Sequence, residues 1–148
     1  SILERLFDNT KHNKKAIGAL NQLLPIPSGP YTGCIHLKTA AFIPYVNAVR
    51  LLSIIESIEE TSTLGRIKAL SLLEPYKEFM HIHYENFSKL LQYRLFNTIA
   101  QNYEDGQYLN IKKLNKAEKE KLKRIFKDIK KLQKFTLMRV QGAVNNER

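Results

Sequence analysis

The stretch GCIHLKTAAFIPYVNAVRLLSIIESIEETSTLGR, residues 33–66, decides the fold. Its middle predicts a helix from about Thr39 to Ile58. Val46, Val49, Leu52, Ile55 and Ile58 recur every three residues, a spacing that gathers apolar side chains on one helical face. Pro44 falls in the first turns, where a missing N–H costs little. Thr61 to Thr63 read as N-cap residues of a short helix, Leu64 to Leu73, with hydroxyls able to accept from its first N–H groups. Tyr31 to Leu37 is the one candidate for extended structure. Lys38, Arg50 and Arg66 are set into this apolar frame. A helix that only filled a core would have no use for Arg50 between Val49 and Leu51, so an anionic partner is expected, either an internal carboxylate or a ligand.

Toward the N-terminus, Leu3, Leu6, Phe7, Ile17, Leu20 and Leu24 predict an amphipathic helix over Ile2 to Leu24, with Asp8-Asn9-Thr10 as an interruption. Pro25, Pro27, Gly29 and Pro30 then make a connector that delivers the chain to Gly33. Toward the C-terminus, Pro75 leads into a helix from Tyr76 to about Asn102 with the stripe Phe79, Phe87, Leu91, Leu95 and Ile99, closed by Asp105-Gly106. Asn115 with Glu118 three residues on resembles a capping box. The helix that follows buries Leu122, Ile125, Phe126, Ile129 and Leu132, and residues 141–148 read as a frayed polar tail. No strand-like alternation persists and no repeat is evident. The expected fold is all-α, an antiparallel bundle of four to six helices in a single domain, residues 1–148.

A chain of 148 residues, 43% apolar and 26% charged, suits one globular domain without a metal or disulfide staple. The lone Cys34 points to a reducing, cytoplasmic setting. No signal peptide is visible at the N-terminus, and Leu51 to Ile55, broken by Ser53, is far too short to span a bilayer, so no membrane is expected. Ser1 in place of Met suggests a piece of a longer chain. The net charge of +10 is gathered: Lys112 to Lys134 holds eleven basic residues against Glu118, Glu120 and Asp128.

Each cluster admits a plain reading beside a functional one. Arg50 and Arg66 are either paired with Glu56, Glu59, Glu60 or Glu74, or form a fork for phosphate or carboxylate with Thr61, Thr63 and the adjoining helix N-terminus. Lys38 is either a solvated lysine or a contact to a nucleotide or a neighbouring active site. Arg94 has no acid at i±4, so its partner is on another helix or is a ligand. His81, His83 and Glu85 make no metal site, because on a helix His83 points about 160° from the other two. The lysines of 112–134 are either a solvated outer face or a surface for RNA or an acidic protein. The chain has no Gly-Ser-x-x-x-Asp-x-Asp, no Walker loop, no Gly-x-Gly-x-x-Gly and no Ser-His-Asp or Cys-His set. No residue is expected to be catalytic, and no metal ligand is assigned.

Gly33-x-Ile35-x-Leu37-Lys38, Pro44 with Val46, Arg50, Thr61-x-Thr63-x-x-Arg66, Leu91-x-x-Arg94-Leu95 and the Leu122 to Gln133 helix resemble, in order and spacing, the C-terminal substrate-binding domain of a family of bacterial nucleotidyltransferases related to signal-transducing uridylyltransferases. His36 stands where the family has an acidic or amide residue, and Asn97-Thr98 where it often has His-Gln. The resemblance implies a helical domain, family-like over residues 33–134, that holds a nucleotide or an acceptor beside an upstream catalytic domain. Mg2+ and a nucleoside triphosphate would bind with that domain, and the acceptor would be a small molecule or a protein. The site residues it implies here are Lys38, Arg50, Thr61, Thr63, Arg66 and Arg94. The alternative is a non-catalytic module that binds RNA or an acidic protein through its basic C-terminal helix.

Overall fold

The computed structural model describes residues 16–102 and 105–147. Among them are four α-helices: α1 (Ile43–Ile55), α2 (Thr63–Leu70), α3 (His81–Ala100) and α4 (Lys116–Glu147). A small antiparallel sheet pairs β1 (Cys34–His36) with β2 (Tyr108–Asn110). The protein is a helical bundle, as the periodicity predicts. The extended stretch before Lys38 is β1, and its partner β2 gave no sequence signal.

α1 is the central element. Tyr45, Ala48, Val49 and Leu52, at i, i+3, i+4 and i+7, are among its most deeply buried side chains, with Leu51 beside them. Asn47, Arg50 and Ile54 form the strip left toward solvent. α1 starts four residues later than expected, because Lys38–Phe42 forms a π-helical turn ahead of it. α4 supplies the opposite wall: Leu122, Ile125, Phe126, Ile129 and Leu132 are all buried, as expected. Each such side chain contributes about 1.5–3 kcal/mol by leaving water. Tyr45 and Asp128 share Asn86, whereas Glu56 meets Arg139, so α1 and α4 run parallel. α3 runs antiparallel to α1, its Asn86 reaching Tyr45 while Arg94 lies over Phe42.

Four expectations are corrected. The N-terminal helix falls partly on residues 1–15, outside the described residues; over 16–24 the chain instead makes a tight turn, with an Ile17–Leu23 bridge and Leu24 N–H donating to Ala16 O. Residues 76–78 form a 3-10 turn, and α3 begins only at His81. Leu95 and Ile99 leave the core and are 57% and 74% exposed. A strict four-residue spacing advances about 40° per step, so the stripe starting at Phe87 has turned about 120° by Ile99. Finally, α4 continues through the segment read as a frayed tail, because Ala143 and Val144 pack with Leu51, Ile55 and Val140.

Two glycines hold the sheet end together. Gly33 sits at φ +81°, a conformation costly for any side chain, while its N–H donates to Ile26 O and its carbonyl accepts from Ile111. Gly106 packs onto α3, where an added Cβ would lie 2.9 Å from the Thr98 backbone.

Candidate functional site

The six residues singled out from the sequence fall in separate places along α1. Lys38, exposed, opens the π-helical turn before α1, and the Arg94 guanidinium lies 4.4 Å from the centroid of the Phe42 ring that ends that turn. Arg50, on the solvent strip, donates to Asn47 Oδ1 at 2.9 Å. Past the other end of α1, Thr61, Thr63 and Arg66 cluster around the start of α2. Ser62, inside the predicted cap Thr61 to Thr63, caps this helix, its Oγ accepting from Gly65 N at 3.0 Å. Arg66 Nε donates to Glu60 O at 2.8 Å. Thr61 borders a shallow hollow of about 460 Å3 whose other polar members are Glu59 and Glu60. No hydrogen bond, ion pair or ring contact among the described residues joins any two of the six. None of the four cations is paired with a carboxylate there. Glu56, one of the expected partners, instead binds Arg139 of α4 at 2.5 Å.

A second site was missed by sequence reasoning. A cleft of about 450 Å3 opens between the first turn of α3 and the middle of α4. Phe79 and Phe135, ring centroids 4.9 Å apart and edge to face, make its apolar wall. Glu78, His81, His83, Asp128 and Lys131 supply its polar lining. Behind it lies a buried network. Asn86 Nδ2 donates both to Tyr45 Oη, at 3.1 Å, and to Asp128 Oδ2, at 2.9 Å. His83 Nδ1 lies 2.9 Å from the same Tyr45 oxygen.

These contacts fix the protons. Asn86 Nδ2 can only donate, so the Tyr45 oxygen accepts from it. The phenol hydrogen is then left for His83. Burial pushes the Tyr45 phenol well above its ordinary value, so it keeps that hydrogen. Burial likewise lowers His83 to about 4, against the pull of Asp128, so the ring is neutral at pH 7. Nδ1 therefore accepts, and the ring proton sits on Nε2, which has no partner among the described residues. His83 is a buried histidine, 3% exposed. What could have flagged its role is its place on the buried stripe His83, Asn86, Phe87 and Leu90. Among the described residues no cluster of His, Cys, Asp and Glu could hold a metal.

On the outer side of α4, Arg124, Lys127, Lys130, Lys131 and Lys134 are exposed. The one ion pair in this basic segment among the described residues is Lys123–Glu120, at 3.2 Å. Among those residues no helix is long and apolar enough to cross a membrane.

A mostly helical domain whose Arg50, Arg66 and Arg94 meet no carboxylate among the described residues, with a polar-floored cleft besides, has the features of a binding domain. The chain belongs to the family described as "putative nucleotidyltransferase substrate binding domain", whose model matches residues 1–140. Comparison with curated proteins and with solved structures finds no match.

Proposed function

We propose that this domain holds a nucleotide or an acceptor against a separate nucleotidyltransferase domain, in cytoplasmic signal transduction of a bacterium. The catalytic domain supplies the Mg2+ site and the nucleoside triphosphate, and this chain supplies positive charge for an anionic group. Lys38, Arg50, Thr61, Thr63, Arg66 and Arg94 are the residues assigned to that work. The observation that carries the reading is the state of the arginines. Arg50 spends its guanidinium on a neutral amide and Arg66 on a backbone carbonyl, although four glutamates lie nearby in sequence. Each keeps donors for a phosphate or carboxylate, which guanidinium binds in a two-pronged fashion.

Arg50→Ala and Arg66→Ala test it. Both should weaken binding of a nucleoside triphosphate severalfold, measured by calorimetry, while the thermal melt stays within about 2 °C, as for most surface substitutions. Unchanged binding would remove these residues from the site. Loss of the fold would show them to be structural.

A second reading has its own observation, the exposed α4 cations Arg124, Lys127, Lys130, Lys131 and Lys134, which have no acid partner among the described residues: a face for RNA or an acidic protein.

A further inference from the structure

The cleft between α3 and α4 is separate from the six residues above, and nothing so far has given it an occupant. We infer that it is a binding site for a nucleoside phosphate, with the base in the cleft and the phosphates along α4. Its size suits a small ligand, within the common range of about 300–1,000 Å3. Its lining is mixed, and the mixture is informative. Phe79 and Phe135 offer apolar surface for the face of a flat ring. His83 and Asp128 both line the cleft, and both are tied into the Asn86–Tyr45 network behind it. An imidazole and a carboxylate in one lining are groups of the kind that pair with the donors and acceptors of a nucleobase edge.

Charge argues against simpler ligands. Glu78 and Asp128 in the lining would repel a bare anion. Lys131 would repel a bare cation. A ligand with a neutral hydrogen-bonding ring at one end and phosphate at the other satisfies both. At about 100° per residue, Lys127, Lys131 and Lys134 fall within about 60° of one another around α4, so the cations continue outward from the cleft rather than around the helix. All three are exposed and have no acid partner among the described residues.

The test uses the whole chain at about 0.15 M salt, where nonspecific attraction between separated surface charges is screened. Calorimetry compares ATP, GTP, CTP and UTP with inorganic tripolyphosphate, which carries the charge without a base. At least one of the four should bind about tenfold more tightly than tripolyphosphate, the gain expected from stacking one base. Lys131→Ala, at an exposed position that leaves the fold intact, should weaken that binding severalfold. The inference is overturned if no nucleotide exceeds tripolyphosphate, or if Lys131→Ala leaves nucleotide binding unchanged. Either result would leave the proposal for Arg50 and Arg66 standing, since that rests on its own substitutions.

Discussion

At the scale of single residues, His83 connects the core to the outside through its proton. Burial holds its imidazole down from the ordinary 6.5 to about 4, with Asp128 opposing the shift and His81 adding to it. In the unfolded chain the ring takes up a proton near pH 6.5, and in the folded chain only near pH 4. Between these values the unfolded state binds more protons, so stability is full above about pH 6.5 and falls as acid is added, on the order of 3 kcal/mol in all by pH 4. Urea midpoints of wild type and His83→Gln should therefore diverge at neutral pH and converge toward pH 4. Parallel profiles would mean that the ring is not held neutral. This network could not be read from the sequence. Tyr45 and His83 are 38 residues apart, and Asn86 and Asp128 are 42 apart, so no local spacing announces them. Arg50, by contrast, was legible as an anomaly, because a charge inside an apolar helical run is conspicuous in one dimension.

At the scale of elements, helices with a sustained period were readable and their ends were less so. α4 was predicted down to its cap: Asn115 Oδ1 accepts from Glu118 N at 2.8 Å, and Glu118 Oε1 accepts from Asn115 N at 3.3 Å. Its continuation to Glu147 was not readable, since the packing of Val140, Ala143 and Val144 on α1 is tertiary and the local composition is polar. α3 was placed correctly as a helix, but its exposed half, Leu95, Phe96 and Ile99, looks apolar in sequence and gives no hint that it faces outward. The Arg139–Glu56 pair ties the last turns of α4 to the C-cap of α1, and Glu56 is mostly covered, its side chain 15% exposed. Arg139→Ala strands that carboxylate and should cost about 1–2 kcal/mol in a denaturant titration. Lys77→Ala, which breaks an exposed pair with Glu74, should change nothing measurable. Equal effects of the two would mean that the α1–α4 tie is no stronger than a surface pair.

At the scale of the whole molecule, charge sorts by side. The buried stripe of α4 and its lysines occupy opposite faces of one helix, so most of the +10 excess lies on a single flank. If that flank serves RNA, affinity for a short single strand must drop by orders of magnitude between about 50 and 200 mM salt, as counterion release requires. A mobility-shift titration that shows no binding even at low salt would dismiss the RNA reading and leave the nucleotide-sized cleft untouched. Such lopsidedness also gives the molecule a front and a back. In the field of an anionic neighbour it would turn before it touches, arriving with α4 leading, so that encounters begin in one orientation instead of many. A cation exchanger should therefore retain it longer than a protein of equal net charge spread evenly over its surface.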